Sequence, residues 1–599
     1  MKEFWKMLMA VICGLLIMSL LSFMFFASMI GAASAGGSKK AVLPREGVLD
    51  IDMSKIILAE QSTEGDLNSM SLSGFSTEGQ PATIGLRDAT EALKAAADDP
   101  SVKFIFLRPD GLASGMASLQ EFRGALAAFR ASGKPVVAYT ESPSTGGYYL
   151  ASVADKVFMT ADHGANPTLI GLSGRLLYLK DLLDKFGVNV QLIRHGKYKS
   201  AGETFIRSTP SPENIEQNQA MISSIWKTYS GEICASRDIS EEQFNSLVDN
   251  LALLLPEDFA KAGLVDALYQ RDSLIAKLCD IAVVGSEKDL HLIPFKDYVS
   301  VKVVPASASH DNIAIIYADG NIVEGDATSE IAGNRFARVI DKVRKDKDVK
   351  AVVLRVNSPG GSVLASSKIK DELDRLGKEK PLVASYGNYA ASGGYWISNN
   401  CEKIYSNPVT LTGSIGVFSM IPDFSKTAKN VAHVGLYAVN SNAHSDMFSL
   451  VRPFDKAELD YMQASIEDIY TRFVNLVAEG RELTPEHVDS IAQGRVWTGA
   501  DALEIGLVDE LGTLDDAISY AASLAGYAEG DSYSVTAYPK PLTMMEQIMQ
   551  MLGQKKDPDE LSILSGTPFA SVAPAVRDVL DAKPSRAMAR MEYDIDIQF

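Results

Sequence analysis

The stretch EKPLVASYGNYAASGGYWISNNCEKIY, residues 379–405, has a counterpart earlier in the chain, GKPVVAYTESPSTGGYYLASVADKVF, residues 133–158. Two more pairs of segments match in the same order and with nearly the same spacing, namely VKFIFLRPDG from Val102 with VKAVVLRVNS from Val349, and EDFAKAGLVDAL from Glu257 with ADALEIGLVDEL from Ala500. Because the repeat extends over most of each half, it indicates two copies of one domain and not a solenoid of small units.

Short apolar runs alternate with helical patterns in each copy. In the second copy, NIAIIYA from Asn312 and KAVVLRV from Lys350 have the length and the β-branched composition of strands. The segment from Glu330 between them has its apolar residues at helical spacing. Strand, helix and strand in that order predict parallel strands with crossover helices. The predicted fold is therefore α/β, with an N-terminal domain at 45–300 and a C-terminal domain at 301–535.

The two ends of the chain differ in composition from the two copies. Residues 7–38 carry no charge, and about 20 apolar residues cross a bilayer as a helix. A cleavable signal has a shorter apolar core, about 7–15 residues, so we expect residues 1–40 to hold a retained transmembrane anchor that contacts lipid through 7–35. The sequence ASA at 33–35 leaves cleavage as the alternative. The tail at 536–599 has the pattern of an amphipathic helix followed by an edge strand.

Composition excludes several classes of function. The 599-residue chain has a formal net charge of −19, which argues against nucleic acid as a partner, because phosphate binding needs a basic surface. The four cysteines form no CxxC pair, and the seven histidines include no HExxH motif. We therefore expect neither a metal nor another cofactor.

The segment TGSIG places Ser414 between two glycines, with no histidine nearby to act as its base. A serine in such a setting is usually a helix N-cap. Alignment of SIGV with LIGL in the first copy puts Leu169 at the position of the serine. A cap that the fold required would be expected in both copies, so the difference favours a role in chemistry.

The segment RHGKYKSAGETF, residues 194–205, contributes basic residues to the first copy only. A solvated loop is the simple interpretation of this pattern. The alternative is a general base at Lys199 or Lys197, since burial disfavours the charged form of lysine and lowers its pKa from about 10.4. A neutral amine can take a proton from serine. The serine and the lysine would then come from different copies of the domain.

Two glycine pairs in the second copy follow predicted strands. In NSPGGS, residues 357–362, backbone N–H groups of Gly360 and Gly361 could hold a developing oxyanion, and an ordinary turn is the alternative. In YAASGGYW, residues 389–396, the small residues suit a helix start packed closely on a sheet. We interpret this second segment as packing.

Four motifs carry a resemblance to a known family, namely YKSA in the first copy and NSPGGS, ASGGYW and TGSIGV in the second. Together with the N-terminal anchor and two crotonase/Clp protease-like ββα domains, they resemble the S49 family of serine peptidases in its long, signal peptide peptidase form. The resemblance implies that Ser414 is the nucleophile and Lys199 the general base, with Lys197 as a weaker second candidate. It also implies an oxyanion hole from the backbone of Gly360 and Gly361, completed by the N–H near Ser414.

The resemblance further implies a serine endopeptidase with a Ser/Lys dyad that degrades remnant signal peptides. Such an enzyme would be a homotetramer in the bacterial inner membrane, with its catalytic domains facing the periplasm. Its substrates would be signal peptides and other apolar peptides, bound by strand addition. Two alternatives share the fold: a crotonase-type acyl-CoA enzyme and a catalytically inactive membrane scaffold.

Overall fold

A computed structural model of the protein describes residue 18 and residues 42–62, 81–303, 311–328, 330–528, 530–540, 587–591 and 596–598. Its strands are β1 (Gly47–Asp52), β2 (Ile56–Ala59), β3 (Ala82–Gly85), β4 (Val102–Arg108), β5 (Val136–Thr140), β6 (Lys156–Thr160), β7 (Ser173–Arg175), β8 (Asn189–His195), β9 (Ala267–Tyr269), β10 (Leu292–Pro294), β11 (Asn312–Asp319), β12 (Ile322–Val323), β13 (Ile331–Ala332), β14 (Val349–Ser358), β15 (Gly360–Ser362), β16 (Leu382–Ala391), β17 (Lys403–Ser406), β18 (Leu411–Gly413), β19 (Val417–Asp423), β20 (Val496–Thr498), β21 (Glu510–Leu511), β22 (Ser534–Tyr538), β23 (Met588–Arg590) and β24 (Asp596–Gln598).

Helices connect these strands, as the crossover pattern requires. They are α1 (Leu86–Asp98), α2 (Met116–Ala131), α3 (Thr145–Ala151), α4 (Lys180–Lys185), α5 (Glu203–Ile206), α6 (Pro212–Arg237), α7 (Glu241–Asp249), α8 (Pro256–Lys261), α9 (Arg271–Ala282), α10 (Phe295–Lys302), α11 (Gly333–Lys345), α12 (Val363–Gly377), α13 (Gly393–Ser398), α14 (Lys456–Gly480), α15 (Pro485–Ile491), α16 (Gly499–Glu504) and α17 (Leu514–Leu524).

The first half of the chain is built on a parallel sheet with the order β10-β1-β4-β5-β6-β9. Strand β4 shows why both faces of this sheet are covered. Ile105 and Leu107 lie in one buried core, while Phe104 and Phe106 lie in another. Successive side chains of a strand point to opposite faces, so a continuous apolar run is buried on both sides, as is usual for parallel sheets.

The second half repeats this construction. Its main sheet has the order β20-β18-β16-β14-β11-β22 and is parallel except where β20 joins β18. Strand β14 again divides its side chains between two cores, with Val352 and Leu354 in one and Ala351 and Val353 in the other. The predicted α/β fold and the predicted strand–helix–strand order of the second copy are confirmed. The predicted domain boundaries, 45–300 and 301–535, stay predictions.

A third sheet joins the two halves and has the order β13-β12-β15-β23-β19-β8. Strand β8 comes from the first half and pairs antiparallel with β19 of the second half, from Val417 opposite His195 to Asp423 opposite Asn189. The chain leaving β8 therefore passes close to the chain entering β19. This pairing brings the Lys199 loop next to the Ser414 loop.

A buried arginine also joins the halves. Arg355 on β14 is fully buried and donates to Glu60 and Glu121 of the first half, each at 2.7 Å. Burial is the main cause that raises the pKa of Glu121 above its ordinary value. Breaking a buried ion pair by removing one partner is strongly destabilising, so this contact helps to hold the two halves in register.

Both ends of the chain fall largely outside the described residues. The predicted anchor at 7–35 and the predicted amphipathic helix of the tail lie there. Within the part of the chain that the structure describes, we find no helix with the length and apolar character needed to cross a membrane. The predicted strand at the C-terminus is described as β24, which pairs antiparallel with β7.

Candidate active site

Lys199 lies between two serine hydroxyls in the interior of the protein. Its Nζ is 2.9 Å from Oγ of Ser414, 3.0 Å from Oγ of Ser392 and 3.0 Å from the carbonyl oxygen of Ser414. All three side chains are at most 1% exposed. The two serines meet because each follows the last residue of a strand, and the strands β16 and β18 are parallel neighbours whose ends pair, Ala391 opposite Gly413. Side chains at the carboxyl edge of a parallel sheet commonly form binding sites.

Ser414 lies in the short connection between β18 and β19. Its φ of 51° is unusual for a residue other than glycine. Its N–H donates to the carbonyl oxygen of Arg495 at 2.7 Å, in continuation of the antiparallel pairing of β18 with β20. The N–H of Ser414 therefore already has a hydrogen-bond partner within the chain. This does not fit its predicted role as a donor in the oxyanion hole.

Ser392 occupies the turn between β16 and α13. Its backbone has φ 53° and ψ −109°, a combination that side-chain-bearing residues adopt only when the surrounding structure enforces it. Its N–H donates to Gly413 at 2.8 Å, and its carbonyl accepts from Trp396 at 2.7 Å. Within the described residues its hydroxyl makes no capping bond to α13, and it contacts Lys199 instead. A strained strand-to-helix turn that presents a hydroxyl is typical of nucleophilic serines.

The equivalent positions of the first copy are used for packing. Thr145 aligns with Ser392 and is the first residue of α3, where its hydroxyl donates to the carbonyl of Gly171 at 2.9 Å. Leu169, at the position of Ser414, is buried in the core of the first half. Sequence reasoning missed Ser392 because both copies carry a hydroxyl there. Within these aligned segments no signal separates Ser392 from Thr145, since the difference lies in the tertiary contacts of the two hydroxyls.

The backbone of Lys199 is held from two sides. The residue lies between β8 and α5, and its carbonyl accepts from Nη1 of Arg194 at 2.6 Å. Arg194 is paired with the buried carboxylate of Glu203 at 3.3 Å. On the other side, a Cβ placed on Gly494 would lie 2.5 Å from Cβ of Lys199. Gly494, with φ +79°, therefore permits a close approach that any side chain would block.

An outer layer of polar contacts supports the lysine loop. The Tyr198 hydroxyl donates to Glu216 at 3.0 Å, and Arg495 pairs with the same carboxylate at 3.0 Å. These two contacts hold the pKa of Glu216 below its ordinary value, the Tyr198 hydrogen bond most strongly. Lys197, the second candidate for the base, is exposed, and its Nζ lies 4.9 Å from the ring centre of Tyr198.

One of the two predicted oxyanion glycines, Gly360, lies beside the residues that flank Ser392. Gly360 has φ +100°, and a Cβ placed on it would lie 2.6 Å from the backbone nitrogen of Gly393, the residue after Ser392. Gly361 pairs with Ile322 of β12. Only glycine permits the backbone of β15 to approach the start of α13 so closely. The N–H of Gly360 donates to Oγ of Ser358 at 3.2 Å.

A group with the spacing of metal ligands lies elsewhere, formed by His444, Asp455 and Glu458. Glu458 is paired with Arg452 at 2.7 Å, and the hydrogen bonds from Arg452 are the main cause that lowers its pKa to about 2. The neighbouring Asp446 binds the same guanidinium at 2.8 Å. These contacts describe an ion-pair network.

Comparison with known proteins identifies the family. The family model for peptidase family S49 matches residues 128–284 and 374–528. Protease 4 of Haemophilus influenzae is 35% identical, covering 88% of this chain and 86% of its own length. Protease 4 of Salmonella typhi is also 35% identical, covering 93% and 91%. A putative signal peptide peptidase SppA of Enterococcus faecium is 38% identical over 31% of this chain and 53% of its own. The chain therefore belongs to peptidase family S49 and is a serine protease.

Proposed function

We propose that the protein is an endopeptidase in which Lys199 is the general base and Ser392 is the attacking serine. The observation that carries this proposal is the buried amine of Lys199 within 3.0 Å of the Ser392 hydroxyl. Burial in a low-dielectric site favours the neutral form of an amine. Such an amine can accept the serine proton without a histidine.

The choice of Ser392 over Ser414, the residue that the sequence predicts, depends on their surroundings. Ser392 has the strained turn, and it adjoins both Gly360 and Gly393. Ser414 contacts Lys199 through both its hydroxyl and its carbonyl, which is the arrangement of a residue that orients the amine. The hydroxyl of Ser414, 2.9 Å from Nζ, keeps it as the second candidate for the nucleophile.

The reaction follows from this geometry. Lys199 takes the hydroxyl proton while Oγ of Ser392 attacks the carbonyl carbon of a peptide bond. The oxygen of the tetrahedral intermediate then carries the negative charge next to Gly360 and Gly393. There the N–H of Gly393 would stabilise it, joined by the N–H of Gly360 once that group leaves the Oγ of Ser358. The ammonium of Lys199 returns the proton to the leaving amine. A water molecule, deprotonated by the same amine, then hydrolyses the acyl-enzyme ester.

The substrates that we propose are remnant signal peptides and other apolar peptides. The name of the Enterococcus faecium relative and the apolar segment predicted at 7–35 support this choice. An enzyme anchored in the bacterial inner membrane, with its catalytic domains in the periplasm, would meet such peptides where they are released. A homotetramer is the assembly that the family resemblance suggests.

Covalent labelling tests both the activity and the identity of the nucleophile. A peptidyl phosphonate reacts with an activated serine and leaves a stable adduct. We expect mass spectrometry of the digested protein to place the adduct on Ser392, in step with loss of peptide cleavage. An adduct on Ser414 would favour the second candidate, and an unlabelled protein that cleaves no peptide would contradict the proposed function.

The pH dependence of cleavage distinguishes an amine base from a carboxylate base. The base must be neutral to accept a proton, so kcat/KM for an uncharged peptide should rise with pH until Lys199 is deprotonated. A carboxylate base, with an ordinary pKa of about 4, would complete this rise below about pH 6. A rate that continues to rise above neutral pH supports Lys199, whereas a rise centred near pH 4, where an ordinary carboxylate titrates, contradicts it.

A further inference from the structure

Residues 493–495 connect the loop that carries the proposed base with the loop that carries Ser414, and we call them the bridge segment. Three backbone hydrogen bonds make the connection: the N–H of Tyr198 donates to the carbonyl of Gln493 at 2.9 Å, the N–H of Gly494 to that of Ile415 at 2.8 Å, and the N–H of Ser414 to that of Arg495 at 2.7 Å. The bridge segment is therefore bonded to both loops at once, although they come from different halves of the chain.

The side chain of Lys199 passes through a narrow slot beside the bridge segment. A Cβ placed on Gly494 would lie 2.5 Å from Cβ of Lys199, and one placed on Gly416 would lie 3.2 Å from its Cδ. The chain before the lysine is packed as closely, because a Cβ on Gly196 would lie 2.5 Å from the carbonyl oxygen of Gln493. A displacement of the bridge segment would therefore displace the amine, since interiors packed this tightly transmit strain.

A tyrosine of helix α14 holds the bridge segment in place. The hydroxyl of Tyr470 accepts from Nε2 of Gln493 at 3.3 Å and from its N–H at 3.4 Å, and it donates to Asp489 at 2.5 Å. Gln493 has φ 51°, and its Nε2 also donates to Asp489 at 2.7 Å. The buried ring of Tyr470 stacks on His195, which pairs with Glu467. These contacts support a left-handed backbone that glutamine seldom adopts.

We propose that Tyr470 is a positioning residue, which acts through Gln493 and the bridge segment to hold the amine of Lys199 against the two serines. The proposal rests on the proposed function, since it assumes that this amine is the base. Without the hydroxyl, the bridge segment loses its anchor and the lysine loses one wall of its slot. The amine is then less well oriented and more hydrated, and hydration favours its charged form, which cannot accept a proton.

The variant Tyr470→Phe tests the proposal in the full chain, because it keeps the ring and its stacking on His195. We expect kcat to fall about 10- to 100-fold, the usual loss when a group at a reaction centre is misplaced. KM should not change, since the buried side chain does not reach the peptide. The rise of kcat/KM with pH should move upward by about one pH unit, because a more hydrated amine keeps its proton to higher pH. Tyr461→Phe, at an exposed position of the same helix, is the matched control and should behave like the parent protein.

The pH profile separates positioning from a loss of stability. A variant that is only less stable contains fewer active molecules, so its rate falls without any change in the pH at which the base titrates. An unchanged titration in Tyr470→Phe, or a kcat equal to that of the parent protein, would overturn the proposal and leave the proposed function intact. If the parent protein itself cleaves no peptide, the proposed function fails and this proposal fails with it.

Substitutions of Asp489 test the same path without changing the tyrosine. Asp489→Ala removes the oxygen that Tyr470 and Gln493 share, so kcat should fall and the pH profile should shift as they do in Tyr470→Phe. Asp489→Asn keeps a side-chain oxygen and should restore both toward the values of the parent protein. If Asp489→Ala behaves like the parent protein, or if Asp489→Asn restores nothing, this path does not position Lys199.

Discussion

Replacing Ser392 by alanine should lower kcat by about 10³- to 10⁶-fold, the range seen when a serine protease loses its nucleophile. KM should change little, because the hydroxyl contributes to bond formation and not to holding the peptide in the cleft. The strained backbone at φ 53° has about the same free-energy cost with alanine as with serine. The fold should therefore persist. Cleavage of a fluorogenic peptide together with a thermal melt measures both effects.

The Ser414→Ala variant shows which serine is the nucleophile and which one orients the amine of Lys199. If Ser414 orients the amine, its loss should reduce kcat by about 10- to 100-fold, as is typical for residues that position a catalytic group. Thr145→Ala, at the matching position of the first copy, should leave kcat within about twofold. Complete loss in Ser414→Ala with an active Ser392→Ala would exchange the two roles and restore the sequence prediction.

The sequence carries enough information to predict the α/β fold and the partnership between the two copies. The periodicities of β11, α11 and β14 are local properties, so they can be interpreted without the tertiary structure. The contrast between Ser414 and Leu169 points to the region of the second copy where Lys199 contacts two serine hydroxyls. The same comparison does not single out Ser392, because Thr145 at the matching position also has a hydroxyl, which donates a hydrogen bond to the backbone carbonyl of Gly171.

The features that the sequence could not indicate depend on long-range backbone geometry. The hydrogen bond from Ser414 to Arg495 follows from the pairing of β18 with β20, which are far apart in the chain. The strained backbone of Ser392 has no sequence signature. The tail strand β23 is only three residues long and gains its order from β15 and β19, so no local pattern distinguishes it.

Lys199→Met should reduce kcat by about 10²- to 10⁴-fold, the contribution of general-base catalysis, because no other residue is proposed to take the serine proton. Methionine keeps the apolar stem of lysine and fills the same space. It leaves the oxygens of Ser392 and Ser414 without the amine donor, and a buried polar atom that loses its partner costs about 1–3 kcal/mol. We therefore expect a lower melting temperature with the fold retained.

The matched control is Lys197→Met, in the same loop but with an exposed amine over the ring of Tyr198. Its kcat should stay within about twofold of the parent protein, since it removes a cation–π contact worth about 0.5–1 kcal/mol at an exposed site. An inactive Lys197→Met with an active Lys199→Met would transfer the role of base to Lys197. If both variants keep the full activity of the parent protein, neither amine takes the proton. The base would then have to be sought among the carboxylates around the cleft.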